Sequence, residues 1–234
     1  MCRMFAYAGS SRAELNRLHQ SLLRSAKFDP IRKRFDSVNP QHKDGWGYVI
    51  FDGERLCHYR SGDPIFADKH IIPHLGSNIF ALFHARLASE DSPKHGAIFS
   101  HPFFMASDSK LIYICQNGKV RNALLPKDFP ANKMSTEYTL ELITTNGVNT
   151  GIKKMIGLGQ SNTNVLILEI DRKTMKPSIY CLNRYIKTKD SSKNEYYKLY
   201  QKKMPHGNAI FSSALVSDIG GSSLPYLKLI NLNE

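Results

Sequence analysis

Long apolar runs and paired cysteines are both absent from this 234-residue sequence. No run approaches the roughly 18–20 apolar residues that a helix needs to span a bilayer. The cysteines at 2, 57, 115 and 181 form no CxxC pair and no tight cluster. That spacing argues against structural zinc and against a disulfide scaffold, and it is typical of reduced thiols in a cytosol. The first residues also lack an apolar segment long enough for secretion, so we expect a cytoplasmic protein without a membrane partner.

Acidic residues are in deficit. The 20 Asp and Glu residues face 32 Lys and Arg residues, which gives a formal net charge of +12. The excess is concentrated at 32–34 and at 184–203, and we expect the longer stretch to be an exposed edge hairpin or loop. Such runs can bind nucleic acid or an acidic partner surface. They contain no recognisable nucleic-acid motif, however, and a charge run is usually a solvated face, so nucleic acid is not the expected partner.

Apolar residues are plentiful enough, at 41%, to predict one sizeable core. We find no internal repeat and no convincing linker, so residues 1–234 are expected to form a single domain. Apolar periodicity predicts helices at 12–25, 136–145 and 149–156. Asp52-Gly53 is a strong hairpin signal. The predicted strands are 3–8, 47–51, 55–59, 79–85, 111–116, 165–171, 178–182, 196–200 and 209–213. Many closely spaced strands and few helices predict an α+β fold with antiparallel sheets.

Cys2 directly follows Met1. If Met1 is removed, the thiol of Cys2 and a free α-amino group belong to the same residue. A model α-amino group has a pKa of about 7.7–8.0, so it can act as general base for its own side chain. With Met1 attached, the same nitrogen is an amide and cannot act as a base. A cysteine at this position can equally be without function, so the rest of the sequence has to decide.

Five short motifs follow Cys2, and each has an ordinary structural explanation on its own. Asn-Gly is a hairpin turn signal, Gly-Trp-Gly can be a turn beside a core tryptophan, and an arginine after a strand is often part of a surface ion pair. The motifs are, in order, Asp44-Gly45-Trp46-Gly47, His84-Ala85-Arg86-Leu87-Ala88-Ser89, Ser100-His101-Pro102-Phe103, Gln116-Asn117-Gly118 and Ser135-Thr136-Glu137.

Together and in this order, the motifs resemble the class II glutamine amidotransferase domain, a member of the N-terminal-nucleophile (Ntn) hydrolases. The resemblance spans most of the chain and is strongest to the small stand-alone members, some of which act on γ-glutamyl amides. It implies a four-layer αββα sandwich, in which two antiparallel sheets are flanked by helices. It also implies that no metal or organic cofactor is needed.

The resemblance assigns the reaction to Cys2, Asn117 and Gly118. Cys2 would attack the side-chain amide carbon of glutamine, which gives a γ-glutamyl thioester and releases ammonia. The Asn117 side-chain amide and the Gly118 backbone N–H would form the oxyanion hole. Losing one such donor typically costs about 10²–10³ in rate.

Substrate binding is assigned to Arg86, Leu87, Ser89, Ser135 and Glu137. The Arg86 guanidinium would clamp the α-carboxylate, and Leu87 and Ser89 would continue along the substrate. Ser135 stands where the family commonly has an aspartate for the α-ammonium, and a hydroxyl supplies no charge. Glu137 either compensates or is an early-helix acid that favours the helix dipole. Use of free glutamine, of a donor with a modified amine, or of weakly bound glutamine therefore stays open.

Other motif residues are expected to have supporting roles. His101 is interpreted as a structural histidine, and Trp46 and Gly47 are expected to support the pocket of the nucleophile. Three residues are expected to be small core residues on strands, namely Cys57, Cys115 and Cys181.

The sequence thus predicts amide hydrolysis or amide-nitrogen transfer by an N-terminal cysteine, with glutamine or a γ-glutamyl compound as small-molecule substrate. One alternative is a glutaminase subunit that delivers ammonia to a separately encoded synthase. A second alternative, motivated by Ser135 and the positive charge, is a degenerate basic binding module on the same fold.

Overall fold

Two antiparallel sheets lie face to face at the centre of the protein. The computed structural model describes residues 2–35, 39–74, 76–88, 96–120, 124–130, 132–158 and 162–233. The strands are β1 Arg3–Gly9, β2 Trp46–Phe51, β3 Leu56–Ser61, β4 Ile79–Ala85, β5 Phe103–Ala106, β6 Lys110–Gly118, β7 Thr163–Asp171, β8 Pro177–Leu182, β9 Leu199–Met204, β10 Gly207–Ser212, β11 Ser222–Ser223 and β12 Leu229–Asn231. The α-helices are α1 Arg12–Lys27, α2 Ser135–Asn146, α3 Val148–Gly157, α4 Ser191–Tyr197 and α5 Val216–Ile219.

The elements form four layers. The larger sheet has the strand order β11-β9-β10-β1-β4-β2-β3, and the smaller has the order β12-β8-β7-β6-β5. One buried apolar cluster lies between α1 and the larger sheet, a second between the two sheets, and a third between the smaller sheet and α2 with α3. This arrangement confirms the predicted α+β, four-layer αββα fold. None of the helices described is both long and apolar enough to cross a membrane.

The strand β1 shows how alternation builds these layers. Successive side chains of a strand point to opposite faces. Phe5 and Tyr7 therefore pack toward α1, whereas Met4 and Ala6 pack toward the smaller sheet. All four are fully buried, so a shift of register by one residue would exchange both faces.

The predicted Asp52-Gly53 hairpin is confirmed, and the start of α1 likewise has a local physical cause. Ser11 caps α1, because its side-chain oxygen accepts a hydrogen bond from Glu14 N at 3.3 Å. The hairpin between β2 and β3 turns at Asp52-Gly53, where Gly53 has a φ of +93°. The Asp52 carboxylate holds the turn by accepting from Arg55 N at 2.8 Å.

The prediction for residues 184–203 is confirmed only in part. Residues 184–190 form a largely exposed loop and β9 pairs with β10 as a hairpin, but α4 lies between them. The Asp190 carboxylate caps α4 by accepting from the backbone of Ser192 and Lys193, and Tyr196 is buried with 1% exposure. The predicted strand at 196–200 therefore begins too early. Abundant lysines made a partly buried segment look solvated.

Candidate active site

Cys2 immediately precedes β1 and is buried, with 7% exposure. It shares the face of Met4, the face that packs toward the smaller sheet. Its sulfur lies against the segment that follows β4. Leu87 N donates to Sγ at 3.5 Å, and the thiol donates to Leu87 O at 3.8 Å. The structure thus brings the predicted nucleophile to the backbone of a predicted substrate-binding residue.

Asn117, near the end of β6 in the other sheet, holds the backbone of Cys2. Cys2 N donates to Asn117 Oδ1 at 3.2 Å, and Asn117 Nδ2 donates to Cys2 O at 3.2 Å. The carboxamide orientation is fixed, because a backbone N–H can only donate and a carbonyl can only accept. Nδ2 carries a second hydrogen, so it can also donate to a reacting oxygen.

Gly118 ends β6 directly after Asn117, and its position requires glycine. Its φ is +125°, and a Cβ here would overlap Asn162 O. A side chain is therefore excluded both by the backbone conformation and by space. Both residues belong to the last part of β6, where they pair with Asn164 and Thr163 of β7.

The Cys2 thiol has a lowered pKa. Burial alone raises it, but the charge of His84 and its side-chain interaction with the thiol, together with the N-terminal charge and the Leu87 N–H, outweigh burial, so the pKa falls to about 6. Much of the thiol is then ionised at neutral pH, and the thiolate is the nucleophilic form. The neighbouring Cys115 behaves oppositely, since burial and the charge of Cys2 raise its pKa well above the usual value.

His84 is a site residue that the sequence reasoning missed. It lies on β4 opposite Met4 of β1 and Gly47 of β2, and it is fully buried. Among the described residues neither of its ring nitrogens has a hydrogen-bond partner. The available signal was alternation along β4, which puts His84 on the same inward face as Leu82.

His101 lies beside His84, with 4.2 Å between the ring centroids. His101 Nε2 is 3.2 Å from Thr136 Oγ1, at the start of α2. Burial first, and then the nearby charges of His84 and Arg86, hold the pKa of His101 well below its usual value. Gly47 allows this approach, because a Cβ there would lie 2.5 Å from His101 O.

Arg86 is almost fully buried, with 2% exposure. Its Nη1 donates to Asp44 O at 3.0 Å, and its backbone N donates to Gly45 O at 2.8 Å. The Asp44 carboxylate accepts from Ala88 N at 2.8 Å. The Asp-Gly-Trp-Gly turn therefore holds residues 86–88 beside the thiol.

Ser135 and Glu137 both make contacts that shape the start of α2. Ser135 Oγ accepts from Val120 N at 3.2 Å. Glu137 Oε2 accepts from Met134 N at 2.7 Å, so it caps the helix. Ser89, the remaining predicted site residue, lies outside the described residues. The substrate-binding roles of all three stay predictions.

Trp46 lies on the other face of the larger sheet, so it does not support the nucleophile as expected. It packs in the cluster beneath α1, and its Nε1 donates to Asp68 Oδ2 at 2.8 Å. The other cysteines lie on strands as predicted. Cys115 and Cys181 are fully buried and Cys57 is half-buried, and all of them are free thiols.

A buried ion pair fixes the residue after Cys2. Arg3 Nε lies 2.5 Å from Asp29 Oδ2, and His42 Nε2 lies 2.9 Å from the same oxygen, all with 0% side-chain exposure. Arg3 also donates to Tyr196 O at 2.8 Å. Burial alone would raise the pKa of Asp29, but Arg3 and His42 hold it far below its usual value. Burial lowers the pKa of His42 to about 4.

Comparison with known proteins identifies the fold. No protein-family model and no curated protein sequence matches the chain. Among solved structures, the chain is similar to the allosteric regulatory enzyme of purine biosynthesis, with a TM-score of 0.63, 15% identity, and coverage of 99% of this chain and 47% of that one. It is also similar to the glutamine phosphoribosylpyrophosphate amidotransferase from B. subtilis complexed with ADP and GMP, with a TM-score of 0.61, 14% identity, and coverage of 99% and 47%.

A predicted glutamine amidotransferase from Pseudomonas aeruginosa PA01 matches less well, with a TM-score of 0.39, 13% identity, and coverage of 90% and 79%. At these identities the likeness shows the fold. The chain shares the fold of the first two structures, which confirms the α+β, αββα fold that the sequence resemblance implied. It spans about half the length of the first two structures.

Proposed function

We propose that this chain, once Met1 is removed, is an N-terminal-cysteine amidohydrolase that cleaves the side-chain amide of glutamine or of a γ-glutamyl compound. The observation that carries the proposal is the placement of Cys2, whose sulfur contacts Leu87 while its backbone is held by Asn117. Acyl transfer requires a positioned nucleophile and a hydrogen-bond donor for the oxyanion. Cys2 supplies the first, and the Asn117 side-chain N–H supplies the second.

In this proposal the Cys2 sulfur attacks the γ-carbonyl carbon, and the C=O electron pair moves onto oxygen. Asn117 Nδ2 and the Gly118 N–H donate to that oxygen. The Cys2 α-amine takes the thiol proton as the sulfur attacks and returns it to the leaving nitrogen, so that the C–N bond breaks and ammonia leaves. Water then hydrolyses the γ-glutamyl thioester, which regenerates the thiol and releases the carboxylic acid.

In this proposal the α-carboxylate and α-ammonium groups of the substrate lie near Arg86, Ser135 and Glu137. Arg86 supplies a planar pair of donors for an α-carboxylate. The Glu137 carboxylate already caps α2, which supports its interpretation as an early-helix acid. The remaining group for an α-ammonium is then the uncharged Ser135 hydroxyl, so we propose that free glutamine binds more weakly than a γ-glutamyl compound whose recognition extends beyond the amine.

A second candidate function is supported by the comparisons. The two similar structures are about twice as long as this chain, and one is an amidotransferase that is named for both glutamine and phosphoribosylpyrophosphate. Ammonia released at Cys2 could accordingly serve a synthase outside these 234 residues. Ammonia release that rises when a copurifying partner is added would favour this candidate over a free-standing hydrolase.

The test is ammonia release from glutamine and from γ-glutamyl amides by the chain with Met1 removed. Cys2→Ala should abolish release from every donor while circular dichroism and the unfolding midpoint stay unchanged. Cys181→Ala is the matched control, because Cys181 is a buried thiol of the same sheet sandwich and should leave turnover unchanged. Full activity of Cys2→Ala would overturn the proposal.

A further inference from the structure

Two buried histidines that the proposed mechanism does not use lie next to the nucleophile. The ring centroids of His84 and His101 lie 4.2 Å apart with the rings tilted at 45°, and His101 Nε2 lies 3.2 Å from Thr136 Oγ1 at the start of α2. Both His84 ring nitrogens and His101 Nδ1 lack partners among the described residues. A buried polar atom without a partner costs about 1–3 kcal/mol, so its persistence points to a function for the imidazole.

The register of the larger sheet makes His84 a neighbour of Cys2 on the same face of the sheet. Met4 pairs with His84, and Arg3 pairs with Ala85. Cys2 lies two residues before Met4 and therefore on the same face, which makes it a diagonal neighbour of His84 within reach of a long side chain. The two side chains interact across β1 and β4, and His84 stabilises the ionised form of the thiol.

We propose that His84 is the charge partner of Cys2, and that it ionises the thiol whether or not Met1 is present. The S–H bond breaks, the proton passes to a ring nitrogen, and a thiolate–imidazolium pair replaces a neutral thiol and a neutral imidazole with no change in net charge. This inference rests on the proposed function in taking Cys2 as the nucleophile.

The surroundings exclude a charge on His101, the other histidine of the pair. His101 feels His84, Arg86 and Arg60, and burial with these charges keeps it neutral. Cys115, a neighbouring thiol, is also held neutral by burial and by the charge of Cys2. The N-terminal charge acts on Cys2 in the same direction as His84, and Arg3 and Tyr196 are further groups that interact with Cys2. Among these groups, His84 has the thiolate on one side and a neutral ring on the other.

The proposal separates two roles that the N-terminal amine would otherwise combine. His84 ionises the thiol, and the Cys2 amine delivers a proton to the leaving nitrogen. A chain that keeps Met1 should therefore be alkylated at Cys2 readily and yet fail to hydrolyse amides.

The experiment is the pH profile of Cys2 alkylation by iodoacetamide, followed by peptide mass spectrometry, in chains with and without a residue before Cys2. Both chains should give an apparent thiol pKa near 6. His84→Gln should raise it by about two units and slow alkylation at pH 7 about ten-fold. His58→Gln is the control, since His58 is an exposed strand histidine bonded to Pro102 O, and it should leave the profile unchanged.

An unchanged profile in His84→Gln would overturn the proposal, and so would a profile that is low only in the chain lacking Met1. If His84→Gln does not fold, His84→Asn takes its place. In addition, the thiolate absorbance of the unsubstituted chain is titrated and measured as a difference from that of Cys2→Ser. A thiolate midpoint near the ordinary value of about 8.5 would then contradict the proposal. If the unsubstituted chain lacking Met1 hydrolyses no amide but shows the expected alkylation profile, the proposed function is refuted and the proposed role of His84 is not.

Discussion

The Asn117 carboxamide grips the Cys2 backbone at both polar groups, with Cys2 N donating to Oδ1 and Nδ2 donating to Cys2 O, each at 3.2 Å. These two hydrogen bonds join residues 115 positions apart and connect the ends of the two sheets. One side chain thereby fixes the nucleophile and also offers a donor for the oxyanion. A substitution of Asn117 should therefore displace the Cys2 backbone as well as remove one hydrogen bond to the oxyanion.

Replacing Asn117 with alanine should lower kcat by about 10²–10³. The substitution also leaves two buried backbone groups without partners, each at a cost of about 1–3 kcal/mol. Asn183→Ala is the matched control, because Asn183 likewise donates to Leu224 O and accepts from Leu199 N, away from Cys2. Steady-state kinetics and urea unfolding should show that both variants lose stability but only Asn117→Ala loses turnover; equal turnover would contradict the oxyanion role.

Gly118→Ala should destabilise the protein by about 3–5 kcal/mol, which combines the cost of a left-handed backbone with that of overpacking. The added Cβ meets Asn162 O, and φ is +125°. Gly157→Ala in α3 is the control, since among the described residues no atom beyond its chain neighbours and its own helix backbone lies within 4 Å of the added Cβ. That variant should be neutral or stabilised by up to ~1 kcal/mol. Similar urea midpoints for the two variants would show that the turn tolerates a side chain.

The sequence predicted these elements to different extents. α1 was predictable, because a capping serine precedes Leu15, Leu18 and Leu22, all now fully buried. The strands β5 and β12 were missed because they contain four and three residues, too few for alternation to show. β12 forms only against the edge of β8, so its existence depends on a partner that local sequence does not reveal.

Arg86→Lys should raise KM for a substrate with a free α-carboxylate by at least about ten-fold, because a lysine is a point charge and cannot form the paired contact. The kcat should change little. Arg55→Lys is the control, as Arg55 forms a two-nitrogen contact with Asp52 far along the β2–β3 hairpin. An unchanged KM in Arg86→Lys would rule out the carboxylate clamp.

Stability should fall as pH decreases from about 6.5 to 4. Burial lowers the pKa of His19 and of His42 to about 4, whereas an unfolded histidine titrates near 6.5. The unfolded chain therefore binds more protons in this window, and each histidine contributes up to about 1.4 kcal/mol per pH unit to the slope. Below this window Asp29, whose pKa is lowered in the fold, extends the loss.

His19→Phe tests this dependence. His19 stacks near Trp46 and Phe83, so a phenylalanine keeps the ring packing and removes the titrating group. Urea unfolding between pH 5 and 6 should show a slope smaller by about 1.4 kcal/mol per pH unit. An unaltered slope would mean that His19 titrates equally in both states.

The candidate site shows the same limit of sequence reasoning. Motif order led to Cys2, Leu87 and Asn117, which the structure does bring together. It did not lead to His84 as the neighbour of the thiol, because that contact depends on the β1–β4 register. The Arg3–Asp29 ion pair likewise joins residues 26 positions apart. Local sequence could not predict it, because the two residues meet only in the folded protein.

The most direct test of the central claim is covalent labelling with an electrophilic glutamine analogue, followed by intact-mass and peptide analysis. Met1 should be absent from the labelled chain, and a single label should lie on Cys2. Added glutamine should slow the labelling of Cys2. Cys57, Cys115 and Cys181 should stay unmodified. Label confined to another cysteine, or no label on a folded chain with Met1 removed, would contradict the assignment of Cys2 as the nucleophile.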